Sequence, residues 1–320
     1  MLDLSTTLLI LGAAVVLDLA MGEPPNRAHP TVWMGRLIGW AVPRLRHPSS
    51  SPRTERARGA VFAIALITLV FISAHYLLQA VGEVLGWLAL AVLSVLMLKS
   101  TIAIRSMEIH ARAVMRAVAA GDLPEAKRSL ARIVGRETSH LDEQHILSAT
   151  VESVSESTVD GVTAPLFHYA LFGVPGALAY RAINTLDSMI GYRDEYHGNI
   201  GLFSARLDTL TNYIPARITS FLMVIAARMA GADWRNSMRI LRRDKRKTPS
   251  LNAGWPISSV AGALRVRLEK VGYYSLGEGY EHLTLQHCEK AIRIMKITAL
   301  LFGLVFVVPA IALLSLLAGW

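Results

Sequence analysis

The stretch Ile297-Thr-Ala-Leu-Leu-Phe-Gly-Leu-Val-Phe-Val-Val-Pro-Ala-Ile-Ala-Leu-Leu-Ser-Leu-Leu317 decides the fold, because 21 consecutive residues carry no charge. At about 1.5 Å per helical residue this run spans about 30 Å, the thickness of a bilayer's hydrocarbon core. Working outward, Leu4 to Leu19, Ala60 to Leu78 and Val84 to Leu98 share that character. Of 320 residues, 52% are hydrophobic and 18% charged, with mean hydropathy +0.39. That is too apolar for a chain that buries its apolar surface only against itself. Disorder is excluded. A single cysteine, Cys288, excludes a disulfide framework and a thiolate zinc cluster. Lys and Arg number 33 against 24 Asp and Glu, for a net charge of +9. No aromatic-interleaved basic motif accompanies it, so the charge reads as the positive-inside bias of a membrane protein, with no nucleic-acid partner.

The first run is preceded by Asp3 alone and followed by Gly-Glu-Pro-Pro, a poor cleavage site, so it reads as a retained helix. Pro24, Pro25 and Pro30 then force a loop, and Arg36, Arg44, Arg46, Arg53, Arg56 and Arg58 assign loop 22–59 to the cytoplasm. Gln79 to Glu83 lacks Lys and Arg and reads as an outward reversal, with return at Lys99. The pattern then becomes amphipathic. One helix runs to about Ala120 and breaks at Gly121. A capping box, Asp122-Leu-Pro-Glu125, opens a second that ends at Gly135, and a third runs from about His140 to Ser155. The expected class is all-α, a polytopic integral membrane protein with cytoplasmic helical segments. Residues 1–98 form the N-terminal transmembrane helices, 99–296 a cytoplasmic or interfacial helical catalytic region, and 297–320 a C-terminal transmembrane helix. Within the middle region, 162–183 and 214–231 are apolar but carry Pro165, Pro175, Arg217 and Arg228. They are expected to be re-entrant, interfacial or buried against protein.

From Glu137 to Tyr180 there is no Lys or Arg, while Glu137, Asp142, Glu143, Glu152, Glu156 and Asp160 accumulate. Spacing by four stacks Glu152, Glu156 and Asp160 on one face of a continuous helix. Such like charges repel unless a cation sits between them, so the face is either solvated or holds Mg²⁺. Asp160-Gly161 is also a helix-ending pair, which would move Asp160 into a loop. A second patch, Asn184-Thr-Leu-Asp187 with Ser204-Ala-Arg206-Leu-Asp208 and Arg217, sets ionisable groups beside membrane-seeking sequence. These face a cavity, or Arg206 or Arg217 neutralises Asp208. Asp18 and Glu23 pose the same question. The basic block from Arg239 to Lys247 reads as a surface near anionic headgroups or as a phosphate trap. Asn252-Ala-Gly-Trp-Pro256 is a tight turn exposed at Gly254, and Tyr273 and Tyr274 precede another at Gly277-Glu278. Aromatics there stack on a planar ligand or mark the membrane interface. No phosphate-binding glycine loop or nucleophile elbow is present, so a nucleotide needs another cradle.

Taken together, these patches resemble one family. The matching residues are Leu17-Asp-Leu-Ala-Met-Gly-Glu-Pro-Pro25 with His29-Pro and Trp33-Met-Gly-Arg-Leu-Ile38; Val134-Gly-Arg-Glu-Thr138; Glu152-Ser-Val-Ser-Glu-Ser-Thr-Val-Asp-Gly161; Tyr180-Arg-Ala-Ile-Asn-Thr-Leu-Asp-Ser-Met189; Ser204-Ala-Arg-Leu-Asp208; Ile214-Pro-Ala-Arg217; and Asn252-Ala-Gly-Trp255. In order and spacing they resemble the CobD/CbiB family of cobalamin biosynthesis, the adenosylcobinamide-phosphate synthases, over about residues 10–300. Glu23, Ser157 and Arg181 depart from the family's usual Asp, Asn and Lys. The resemblance implies amide-bond formation between adenosylcobyric acid and (R)-1-amino-2-propanol O-phosphate, with Mg²⁺ and with ATP as co-substrate. It implies Glu152, Glu156 and Asp160 as metal ligands, with Glu156, Asp187 and Asp208 as catalytic groups. Arg36, Asn184, Thr185, Arg206, Arg217, Asn252 and Trp255 would bind substrates. The expected partners are the corrinoid, the amino-alcohol phosphate, membrane lipid and other membrane-associated late cobalamin-pathway enzymes. The expected location is the bacterial inner membrane, with the active site facing the cytoplasm. The rival readings are a polytopic transporter and a non-catalytic membrane sensor.

Overall fold

The computed structural model describes residues 3–22, 27, 29–46, 50–192, 194–279 and 282–318; Glu23 and Arg193 lie outside them. In chain order the helices are α1 (Leu4–Met21), α2 (Pro30–Leu45), α3 (Pro52–Lys99), α4 (Ile104–Ala119), α5 (Leu123–Leu130), α6 (Glu143–Thr158) and α7 (Ala164–Ile190). There follow α8 (Leu202–Thr211), α9 (Tyr213–Met229), α10 (Trp234–Asp244), α11 (Gly254–Leu264), α12 (Leu285–Phe302) and α13 (Val308–Ala318). The all-α expectation therefore holds, with one addition: an antiparallel hairpin of β1 (Arg267–Lys270) and β2 (Tyr274–Gly277). Four helical stretches, within Leu4–Met21, Pro52–Ala119, Glu143–Ile190 and Leu285–Leu317, are long and apolar enough to cross a membrane. A fifth is added if α8 and α9 count as one span. On α3, Val61, Ile64, Leu69, Val84, Leu85 and Leu88 are all more than half exposed, a stripe that lipid would cover.

The chain divides into two compact units. The first comprises Met1–Ile102, Ala164–Thr211 and Val307–Trp320. Its core joins Ile38 and Val42 of α2, Ala63 and Leu66 of α3, and Leu186 and Ile190 of α7 around Ile200. Gly59 of α3 lies so close to the Ile200 turn that a Cβ would sit 1.9 Å from the Ile200 carbonyl oxygen. The break in α3 falls at Gly86, whose φ of 82° only glycine adopts readily. The expected reversal at Gln79–Glu83 is thus corrected: those residues stay helical, and the Gln79 amide donates to Glu83 at 2.9 Å across one helical turn. The second half of α3 runs beside α1, since Trp87 donates to Thr6 and Lys99 to the Gly22 carbonyl. His29, placed next to Pro30, caps α2 by accepting the Thr31 N–H at 3.2 Å.

The second unit comprises Ala103–Thr163 and Asn212–Phe306. The capping residue Asp122 accepts the Glu125 N–H at 2.9 Å, as its sequence promises. That helix ends at Leu130, five residues short of Gly135, because the chain there turns into a loop over Ala131–Ser139. Asp142 caps α6 through the His145 N–H. Asp160-Gly161 does not end the helical path: Val159–Thr163 forms a single π turn, and the carbonyl of Gly161 accepts the Ala103 N–H at 2.9 Å. The hairpin pairs Leu268 with Leu276, both fully buried, so its inward face also carries the next opposed pair, Lys270 and Tyr274. Its base is pinned by Asp244 of α10, which accepts the Gly277 N–H at 2.8 Å.

Candidate functional site

In the second unit a cleft of about 350 Å³ opens between α6, the loop before it, the turn before α11 and the hairpin. Two of the three stacked acids, Glu152 and Glu156, line it. Glu152 is buried and fully engaged. The Glu269 N–H of β1 donates to Ser148 Oγ at 2.9 Å, Ser148 donates to Glu152 Oε1 at 2.9 Å, and the Tyr274 hydroxyl donates to Oε2 at 2.7 Å. Arg136 lies 3.6 Å from Oε1. Burial, reinforced by the negative charges of Glu152 and Glu156, pushes the Tyr274 phenol far above its ordinary value, so the hydroxyl keeps its proton and remains a donor.

One helical turn on, Glu156 is half-buried and accepts no hydrogen bond from any described residue. The charged side chains that act on it are Glu152, Lys270 and Arg136. Asp160 sits in the π turn and is not part of the cleft lining. Among the described residues no group of three His, Cys, Asp or Glu side chains could by itself hold a metal ion. The donor set of the cleft still fits Mg²⁺, which characteristically takes one or two protein carboxylates and completes its octahedron with water and substrate phosphate.

Three further expected residues meet nearby on the same unit. Arg217 donates to Asn252 Oδ1 and, at 3.2 Å, to the Leu251 carbonyl. Its guanidinium lies 3.6 Å from the Tyr213 ring centroid and 4.8 Å from that of Trp255, whose other approach is Lys245 at 4.5 Å. Stacking and bidentate donation suit Arg and not Lys. The turn carrying Asn252 also supplies Thr248, Ser250 and Ala253 to the cleft wall. Gly254 allows this turn to close, since a Cβ there would lie 2.5 Å from the Lys245 carbonyl oxygen. The basic block of α10 is largely spent internally. Arg239 and Arg243 pair with Glu278, and Arg243 and Lys247 with the buried Asp244.

The remaining expected residues belong to the first unit. Asn184 donates to Asp208 at 3.4 Å and accepts from Arg181 at 3.3 Å. Thr185 spends its hydroxyl on the Arg181 carbonyl. Asp187 is half-buried at the end of α7 and accepts no side-chain hydrogen bond from a described residue. Arg36 and Arg206 are exposed and make no ion pair with a described residue, so Arg206 is not the neutralising partner of Asp208. The sequence does not single out Arg136 or Lys270 as site residues, and it offers Tyr274 as a ring for stacking on a planar ligand, where the structure makes its hydroxyl a donor to Glu152. Arg136 marks where basic residues give way to the acidic stretch. Lys270 and Tyr274 arrive on a hairpin whose only sequence signal is Leu268 and Leu276 flanking the Gly272 turn.

Together these features define a polytopic helical membrane protein that carries a polar cleft with paired carboxylates and cations. The chain belongs to the CobD/Cbib protein family, whose profile matches residues 11–302. It is 40% identical over 305 residues to the probable cobalamin biosynthesis protein CobD of Methanothermobacter thermautotrophicus, covering 94% of this chain and 98% of that protein. It is 38% identical over 309 residues to the cobalamin biosynthesis protein CobD of Klebsiella pneumoniae, covering 94% and 97%. Against the probable CobD protein of Thermoplasma volcanium the identity is 36% over 308 residues, covering 96% and 99%. No solved structure matches the chain.

Proposed function

We propose that the chain acts in cobalamin biosynthesis as an ATP- and Mg²⁺-dependent ligase. In this reading it joins a propionate carboxylate of adenosylcobyric acid to the amine of (R)-1-amino-2-propanol O-phosphate. Family membership supports the pathway. The observation that carries the chemistry is the contrast between Glu152, fixed by two hydrogen bonds and an ion pair, and Glu156, a carboxylate one turn away in the same cleft with no hydrogen bond to a described residue.

A carboxylate is a poor electrophile and must be activated before an amine can displace its oxygen. The propionate oxygen attacks the terminal phosphorus of ATP, releasing ADP and leaving an acyl phosphate. The amine then attacks the acyl carbon, phosphate departs with the C–O electron pair, and the nitrogen loses a proton. Phosphoryl transfer of this kind depends on positioning and charge neutralisation more than on covalent help from protein. When bound, Mg²⁺ supplies the neutralisation that lets phosphate oxygens approach Glu156 and Glu152. Glu152, locked by Tyr274 and Ser148, holds one direction of approach, and Glu156 offers free lone pairs. Arg217, clamped between Tyr213 and Trp255, presents a flat cationic rim to the corrinoid. The Arg-rich segment from Arg44 to Arg58 supports insertion in the inner membrane with this chemistry on the cytoplasmic side.

The test is reconstitution. Purified protein supplied with adenosylcobyric acid, the amino-alcohol phosphate and Mg-ATP is expected to release the amide, ADP and phosphate in equal amounts, read by mass spectrometry. A transporter or sensor would form no new covalent bond, and absence of the amide with every component present would refute the ligase.

A further inference from the structure

We infer that the Val134–Arg136 loop and Lys270 form a subsite for a phosphoryl group at one end of the cleft. Three kinds of unspent donor meet there. The Arg136 Nε is buried and donates to no described residue, and the guanidinium meets Glu152 in an ion pair at 3.6 Å, beyond hydrogen-bond length. The Lys270 ammonium makes no hydrogen bond or ion pair with a described residue, and it lies 4.9 Å from the Tyr273 ring centroid. Val134 and Gly135 also line the cleft, and their backbone N–H groups donate to no described residue. A partly buried guanidinium with an orphaned N–H is costly unless an acceptor arrives. A tetrahedral phosphoryl group offers several anionic oxygens, which matches a planar fork, a point charge and adjacent amides together.

Size and charge narrow the class. A cleft of about 350 Å³ lies at the low end for ligand sites, so it takes a phosphoryl group with a few attached atoms. An uncharged ligand would leave the donors unsatisfied, and an organic cation would meet Arg136 and Lys270 directly. The carboxylate of Glu156 in the same cleft would repel a phosphate dianion unless a divalent ion lay between them. The subsite therefore rests on the Mg²⁺ reading proposed above. The phosphoryl group has two sources, the amine substrate's ester and the terminal phosphate of ATP.

Isothermal titration of the purified full-length chain at fixed Mg²⁺ distinguishes them. The probes are inorganic phosphate, amino-alcohol O-phosphate, its unphosphorylated amino alcohol, and ATP. Lys270→Met and Arg136→Lys are each expected to weaken at least one phosphorylated probe tenfold or more, with binding of the unphosphorylated amino alcohol unchanged. Loss confined to the phosphorylated amine assigns the ester, and loss confined to ATP assigns the nucleotide. Undiminished affinity for every phosphorylated probe in both variants overturns the subsite. If Arg136→Lys fails to fold, Lys270→Met, on the half-exposed hairpin edge, decides alone. Failure of the ligase reading is separate, because it shows as missing amide product in the unmodified protein whatever the variants bind.

Discussion

Replacing Asp244 by Asn should loosen the hairpin that delivers Lys270 and Tyr274 to the cleft, with the rest of its unit left intact. The Asp244 side chain is fully buried. It receives two hydrogen bonds from Arg243 at 2.7 and 2.8 Å, pairs with Lys247 at 2.6 Å and accepts the Gly277 N–H at 2.8 Å. Burial alone would raise its pKa, but these donors hold it below the ordinary aspartate value. A hydrogen bond to a charged group contributes about 1.5–3 kcal/mol. Arg243 and Lys247 are 40% and 47% exposed, so water recovers much of what they lose. The net local cost is therefore about 1.5–3 kcal/mol for the whole constellation, not for each bond. At about 1.4 kcal/mol per factor of ten, amide hydrogen exchange over 267–277 should accelerate about 10- to 100-fold, with α6 and α9 unchanged. A carboxylate with a depressed folded pKa contributes its stability above the unfolded pKa and loses it as pH falls through the folded value. Hairpin protection in the unmodified protein should accordingly hold at neutral pH and fall below about pH 4, while the Asn variant shows no such acid step. Equal acceleration throughout the unit, or none in the hairpin, would refute the reasoning.

Two other substitutions probe the frame. Tyr274→Phe removes the phenol that donates to Glu152 while keeping the ring; affinity for Mn²⁺, used as a paramagnetic substitute for Mg²⁺, should fall about tenfold, consistent with one charge-assisted bond, and unchanged affinity would show that Glu152 needs no such anchor. Gly59→Ala would drive a Cβ to within 1.9 Å of the Ile200 carbonyl oxygen, and overpacking of that kind costs about 1–3 kcal/mol; melting of the detergent-solubilised protein should drop by several degrees, and an unchanged melting temperature would mean the contact relaxes freely.

The apolar stretches of α1, α3 and α12–α13 were legible because a long charge-free run has few solutions other than crossing a bilayer, and the cap at Asp122 announced its helix through short-range chemistry. Glu143–Ile190, also long and apolar enough to cross, was expected to be re-entrant, interfacial or buried over 162–183 because Pro165 and Pro175 interrupt it. The reversal in α3 was misplaced because polarity at Gln79 and Glu83 resembled a loop. Those two side chains satisfy each other on the helix surface, and the backbone freedom lay at Gly86. Glu152 and Glu156 could be singled out from spacing, but their different roles could not. That difference is made by Ser148, one turn before Glu152 on the same helix, and by Tyr274 and the Glu269 backbone, brought in from more than a hundred residues away. Each strand of the hairpin offers one fully buried leucine, too little for a period-two pattern to emerge from the sequence.

The central claim is that the cleft of Glu152 and Glu156 holds a divalent ion against a phosphorylated reactant. Anomalous diffraction from crystals of the full chain grown with Mn²⁺ and the amino-alcohol phosphate would locate that ion directly. The account predicts a single strong peak about 2.0–2.2 Å from a Glu156 oxygen, the spacing of an octahedral hard-cation site, with substrate phosphate among its other ligands. A peak away from both carboxylates, with the cleft occupied only by solvent, would contradict it.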